Sequence, residues 1–165
     1  MATVSQEPIL FNSSIADNIA YGKPDATQQE IEEAKEASIY NFVRNLPDGF
    51  DTNVGQKGGQ LSGSQKQRVA IACTLVRKPK LLLLDEATAA LDSRSEKVVQ
   101  KVLDEASKEH ITLTVAHQMS TMQDCDMIVV FKNGHIVERG THDELLALKG
   151  TYHLLVEQQL LQVAN

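Results

Sequence analysis

The chain is expected to fold as an α/β domain with a mostly parallel sheet preceded by a helical subdomain, on three observations. Leu81-Leu82-Leu83-Leu84 is a continuous aliphatic run of strand length, the mark of a strand covered on both faces of a parallel sheet. Two more apolar runs, Ile111 to Ala116 and Met127 to Phe131, are set among stretches with helical spacing, the pattern of an α/β architecture. The first third, by contrast, is polar and helical.

In order along the chain, Thr27 starts a helix that carries Ile31, Ala34 and Ala37 on one face, with Glu30, Glu32, Glu33 and Glu36 as a solvated surface. A second short helix is expected from Ile39 to Leu46, ending at the Pro47-Asp48-Gly49 turn signal. Asn53 to Gln60 is rich in glycine and too polar for regular structure. Ser62 and Gln65 have the spacing of a capping box, and Val69, Ala72, Cys73 and Val76 continue a helical stripe until Pro79. Ser93 and Glu96 have the same spacing ahead of a helix with Val98, Val99, Val102, Leu103 and Ala106. Asn133-Gly134 is a hairpin signal leading into His135 to Glu138. Thr141 and Glu144 cap a short helix, and Tyr152 to Leu161 supply an amphipathic one.

With 165 residues, 42% of them hydrophobic, the chain can bury one domain's core. A formal net charge of −6 argues against phosphate-backbone binding, so no nucleic-acid partner is expected. No aliphatic run exceeds Leu81–Leu84, far short of the ~20 residues that span a bilayer. Met1 to Gln6 has neither the basic nor the apolar part of a leader. Cys73 and Cys125 form no metal or disulfide framework and are expected as free thiols.

Three apolar runs deliver polar residues at their ends: Gln6 after Val4, Asp85-Glu86 after Leu84, and His117 after Val115-Ala116. In open parallel sheets ligands collect at the carboxyl ends of the strands. Any one of these could be an ordinary surface residue; their convergence, and a double carboxylate after four leucines, points to a site. Phosphoryl transfer to water needs a divalent cation on the phosphates, an oriented water and stabilised charge. Asp85 suits a Mg²⁺ role through a bound water, and Glu86 can orient or deprotonate the attacking water. His117 can hydrogen-bond a terminal phosphate, and Gln6 can offer an amide oxygen to Mg²⁺ or to the water. Separately, Ser62-Gly63-Ser64-Gln65 opens a helix whose first N–H groups suit an anion.

These motifs carry a close resemblance, over nearly the whole chain, to a known family. Val4-Ser5-Gln6-Glu7-Pro8 resembles a Q-loop, Thr52 to Gly58 an exporter X-loop, and Leu61 to Gln65 a signature motif. Leu81 to Glu86 resembles a Walker B strand, Ala89-Ala90-Leu91-Asp92 a D-loop, and His117 stands where a switch histidine belongs. The chain thus resembles the C-terminal two-thirds of the nucleotide-binding domain of an ATP-binding cassette (ABC) transporter, of the multidrug-resistance, P-glycoprotein-like exporter kind. The resemblance implies a P-loop NTPase-like fold. It places a helical, signature-bearing subdomain at about 12–78 and parts of a RecA-like core at 1–11 and 79–165. It implies ATP and Mg²⁺ as ligands, with Glu86, His117 and Gln6 catalytic and Asp85 and Gln6 on the metal. Ser62, Gly63, Ser64, Gln65 and Asp92 would serve nucleotide. The implied partners are a second nucleotide-binding domain, in a head-to-tail dimer, and the transporter's transmembrane domains. Location follows: the cytoplasmic face of a membrane, within an integral membrane transporter, this stretch being soluble by itself.

Some residues depart from the family pattern. Ser64 replaces a glycine of the signature, Ala89 a D-loop serine, and Gln118-Met119 the usual Arg-Leu after the histidine. No G-x-x-x-x-G-K-[ST] run occurs; the single Gly-Lys pair, Gly22-Lys23, is followed by Pro24. The resemblance therefore implies a fragment, with the phosphate loop upstream of Met1 and little ATP turnover by these residues alone. Two other functions are weighed against transport-coupled hydrolysis: a truncated, non-catalytic interaction module, and a soluble ABC-type ATPase of DNA repair or translation.

Overall fold

The computed structural model describes residues 1–116 and 121–163. The chain divides into two compact units, 1–115 and 116–165. In the first, β1 (Ala2–Val4), β2 (Leu81–Asp85) and β3 (Ile111–Val115) form a parallel sheet in the order β1-β2-β3. Its register aligns Val4 with Leu84 and Asp85 with Val115. Helices α4 (Gly63–Leu75) and α5 (Ser93–Ser107) pack on it, burying Val4, Ile71, Leu82, Leu84, Val99 and Leu103 in one core.

Among the described residues of this unit, that cover is one-sided. Leu82 and Leu84 are buried, but Leu81 and Leu83 are only half-buried, where a strand closed on both faces is expected. The departure is larger at β3: Ile111, Leu113 and Val115 are 72%, 57% and 49% exposed. β3 is one of the two edge strands, and no β3 side chain belongs to the core under α4 and α5. An apolar run reports what a strand could bury, not whether a neighbour is there to bury it.

A second core of this unit lies among α1 (Ile15–Gly22), α2 (Gln28–Ser38) and α4, with Ile15, Ile19, Ala34, Ile39, Val43, Val54, Val69 and Val76 buried together. Thr27 starts α2 as expected, and caps it in a reciprocal box with Glu30. The Ala37 side chain, expected on the apolar face, lies outside those described. α1 has no counterpart in the sequence reading, although Ser14 and Asp17 close the same kind of box at its start. The helix expected from Ile39 to Leu46 is confined to α3 (Tyr40–Val43). Its last turn tightens, Asn45 and Leu46 bonding to carbonyls only three residues back before Pro47 ends it.

The glycine-rich stretch is more ordered than its composition suggests. Thr52 O accepts from Ile15 N at 3.1 Å and Val54 N donates to Ser13 O at 3.0 Å, so its start is pinned to the entry of α1. Val54 is fully buried, and a short 3₁₀ turn covers Gln56–Gly58. At the α1–α4 contact a Cβ on Gly22 would run into the Cys73 carbonyl. Cys73 Sγ lies 3.2 Å from Asn18 O, and burial pushes the thiol up to about 12, that of an inert packed cysteine.

In the second unit, β4 (Ile128–Lys132) and β5 (His135–Gly140) form an antiparallel hairpin. Asn133 and Gly134 take the positive φ angles of 51° and 79° that a tight hairpin turn requires. α6 (His142–Leu148) starts at the predicted Thr141–Glu144 capping box, and α7 (Thr151–Val163) follows. Leu145 and Tyr152 bury against Ile128 and Val130. Glu138 of β5 caps α7 across the chain, its carboxylate accepting from the N–H groups of Thr151 and Tyr152, the latter at 2.9 Å.

Replacing Gly22→Ala is expected to destabilise the fold by about 1–3 kcal/mol, read as a lower urea midpoint; an unchanged midpoint would mean that α1 and α4 are not in close contact there. The Tyr152 N–H, followed by that of Thr151, holds the Glu138 carboxyl below its ordinary value. Its stabilising effect is therefore full above the ordinary carboxylate range and lost as pH falls through the lowered value. Protection factors of the amides at the start of α7 should fall across that acid window, and Glu138→Gln should abolish that fall.

Candidate functional site

The first turn of α4 is built by its own side chains. Ser62 has an extended backbone, φ −64° and ψ 161°, and its Oγ accepts from Gln65 N at 3.3 Å. Gln65 Oε1 accepts from Ser62 N at 2.9 Å in return. This closes the predicted box and leaves the Gly63 and Ser64 N–H groups without an intrahelical acceptor, as any helix start does. Ser62 and Gly63 are exposed, and the two hydroxyls of Ser62 and Ser64 lie 3.4 Å apart. Ser64 thus sets a second hydroxyl beside the first. Behind this turn, Arg68 Nε donates to Ser64 O at 3.4 Å, and its guanidinium lies over the Phe42 ring at 4.5 Å.

The second component is the β1–β2 edge. Because Val4 pairs with Leu84, Gln6 and Glu86 each lie two residues beyond an aligned pair, at the same carboxyl end of the sheet. Asp85 is exposed and Glu86 half-buried. Glu86 N donates to Val115 O at 3.0 Å, carrying the ladder one residue past the strand. Glu86 has a φ of 48°, left-handed for a residue with a side chain; such a conformation costs about 1–2 kcal/mol. Strain of this kind collects at functional positions. Beyond it the backbone closes two turns, Ala89 N to Glu86 O and Leu91 N to Thr88 O, each at 3.0 Å.

These two components touch. A Cβ on Gly63 would come within 3.3 Å of Leu91 Cδ2, so the α4 start packs against the loop that follows Glu86. Asp92 at the end of that loop is itself the α5 cap, its Oδ1 accepting from Arg94 N at 3.1 Å and Ser95 N at 3.0 Å. The bonds with Ser95, its side chain foremost, hold the Asp92 carboxyl below its ordinary value. This corrects the expected Ser93–Glu96 box: Ser93 is already helical, and Asp92 has the extended cap backbone.

Gln67 is a site residue not expected from the motifs. Its side chain is 2% exposed, and Nε2 donates to Ser5 O at 2.9 Å, directly before Gln6. The signal was present in the sequence: Gln67 and Ile71 share a helix face at four-residue spacing, so an amide stands where an apolar residue would be usual. His117 lies outside the described residues. Among the described residues no three His, Cys, Asp or Glu side chains gather to hold a metal. One exposed carboxylate and one amide at a strand edge fit a magnesium ion that keeps its waters and takes phosphate oxygens as its other ligands.

A parallel-strand edge with paired carboxylates, set beside a helix start suited to anions, defines a nucleoside-triphosphate class of α/β protein. Residues 1–89 match the sequence profile of the family described as ABC transporter. The chain belongs to that family. It is 56% identical over 164 residues to the ABC multidrug transporter MDR1 of Cryptococcus neoformans, covering 96% of this chain and 12% of that protein. It is 50% identical to the human ATP-binding cassette sub-family B member 5, covering 100% of this chain and 13% of the relative. Among solved structures, a bacterial Atm1-family ABC exporter with ATP bound superposes with a TM-score of 0.86 at 42% identity, over 96% of this chain and 28% of that one. The chain thus spans about an eighth of the length of these curated relatives. Among the described residues, no helix is long and apolar enough to cross a membrane.

Proposed function

We propose that this chain is the signature-bearing and hydrolytic part of the nucleotide-binding domain of a multidrug exporter, coupling ATP hydrolysis to transport across a membrane. The observation that carries the proposal is the alignment of Val4 with Leu84, which sets Gln6 and Asp85-Glu86 at one carboxyl end of the sheet. Residues 12–78 act as the helical, signature-bearing portion; 1–11 and 79–165 belong to the RecA-like core. Asp85 and Gln6 are the residues that would hold Mg²⁺, which when bound would supply positive charge to offset that of the phosphate oxygens. Glu86 orients the attacking water and accepts its proton. His117 holds the terminal phosphate by a hydrogen bond.

Ser62, Gly63 and Ser64 offer their hydroxyls and N–H groups to the triphosphate of a facing domain, as helix starts receive anions. Gln65 keeps that turn in shape, and Asp92 fixes the neighbouring loop by capping α5. The partners are therefore a second nucleotide-binding domain, arranged head to tail, and the transmembrane domains of the same transporter. A groove of about 240 Å³ beside β1, lined by Pro8, Ile9, Phe11 and Tyr21, supports a membrane-domain contact. Ile9, Phe11 and Tyr21 are exposed, and the Phe11 and Tyr21 rings meet at a tilt of 55° with their centroids 4.2 Å apart. The transporter names of the relatives favour this reading over a soluble ATPase or a non-catalytic module.

The 165 residues alone are expected to turn over ATP negligibly; appreciable activity would contradict the division of labour proposed here. Joined to the segment of a relative that carries the phosphate loop G-x-x-x-x-G-K-[ST], the Walker A motif, the chain should hydrolyse ATP, and Glu86→Gln should lower kcat on the order of 10²–10⁴-fold. Activity indifferent to that change would remove Glu86 from the base position. Ser62→Arg should block turnover by filling the phosphate seat, while lowering the thermal midpoint only by the loss of the cap, worth about 0.5–2 kcal/mol; unchanged turnover would count against the signature role.

A further inference from the structure

The geometry points to Gln67 as a positioning residue that couples the signature turn to Gln6, a role that rests on the hydrolytic function proposed above. β1 ends at Val4, whose pairing with Leu84 is the last of the β1–β2 register. The Ser5 carbonyl lies one residue past it, and Gln67 Nε2 reaches it at 2.9 Å from 62 positions away in sequence. Gln67 is surrounded on its helix by fully buried residues, Val69, Ile71 and Ala72. An amide at such a place is unfavourable unless its hydrogen bonds are met, and a leucine would fill the same space. What the amide adds is direction: it fixes the backbone at Ser5 and so the departure of Gln6 from the sheet edge.

The other end of the same lever is the signature turn. Gln67 lies five residues after Ser62 on one uninterrupted helix, about 7.5 Å along a rigid axis. Arg68, the next residue, bonds back to Ser64 O. Displacing Ser62 and Gly63 therefore moves the donor that holds Ser5. Contact of the signature turn with a facing triphosphate is thereby transmitted to Gln6, whose amide would hold Mg²⁺, through one hydrogen bond. Gln67 touches neither nucleotide nor metal; it acts through Gln6.

The test uses the chain completed with a Walker A-bearing segment. Gln67→Met keeps length and removes the donor. It should lower kcat roughly 10- to 100-fold, the scale of a small misplacement, and raise the Mg²⁺ concentration for half-maximal rate, leaving KM for ATP and the thermal midpoint near those of the parent. Loss of rate in proportion to loss of folded protein, or an unchanged kcat and Mg²⁺ requirement, would overturn the coupling. Gln67→Glu is the second variant, nearly isosteric. Burial raises the introduced carboxyl's pKa, and once protonated its O–H can donate to Ser5 O. Its rate relative to the parent should recover as pH falls; a flat ratio would overturn the proposal. Glu86→Gln run alongside separates the two claims. If it leaves turnover intact, the hydrolytic function fails; if it abolishes turnover while both Gln67 variants behave as the parent, the coupling alone fails.

Discussion

The parallel register of β1, β2 and β3 is the constraint on which the rest of the first unit depends. Leu82 and Leu84 point into the core with Val4, Ile71, Val99 and Leu103, and full burial of each such side chain favours the fold by about 1.5–3 kcal/mol. A slip of one residue would turn those leucines outward and carry Asp85 inward. The same packing that stabilises the sheet therefore delivers Asp85 to its exposed edge, level with Val115 and one step past Leu84. Site placement follows from hydrophobic alignment, with no contact between the carboxylates and any ligand needed to set it.

Helix capping alone does not distinguish a binding turn. α1, α2, α4 and α6 all begin with a reciprocal box. What separates α4 is its surroundings: Gly63 packs against Leu91, within the loop that leaves the strained Glu86, and Gln67 ties the helix to the end of β1. Two long-range contacts thus join a helix start and a carboxylate edge into one constellation. The left-handed backbone at Glu86 belongs to it, because the turn there ends the strand and begins the loop.

Much of this was legible in the sequence because it is local. The Ser62–Gln65 and Thr141–Glu144 boxes are fixed by three-residue spacing, and the strand at Leu81–Asp85 by an unbroken apolar run. What depended on distant partners was not legible. The exposure of β3 reflects which helices cover which strand, and the order at Asn53–Val54 comes from backbone bonds to Ser13 and the Thr52–Ile15 contact. Asp92 displaced Ser93 as a cap because two adjacent residues could both cap and only backbone conformation decides. For Gln67 the sequence carried the out-of-place amide but not its partner, a carbonyl 62 residues away.

The central claim is that Gln6 and Asp85-Glu86 share one carboxyl end of the sheet and meet one metal–nucleotide complex. Paramagnetic broadening tests it most directly, with Mn²⁺ standing in for Mg²⁺, in the chain completed with a Walker A-bearing segment and loaded with ATP. The backbone amides of Gln6, Asp85 and Glu86 should broaden together at substoichiometric Mn²⁺, while those at the start of α2 stay sharp. Broadening of one of the two segments without the other, or of neither, would contradict the account.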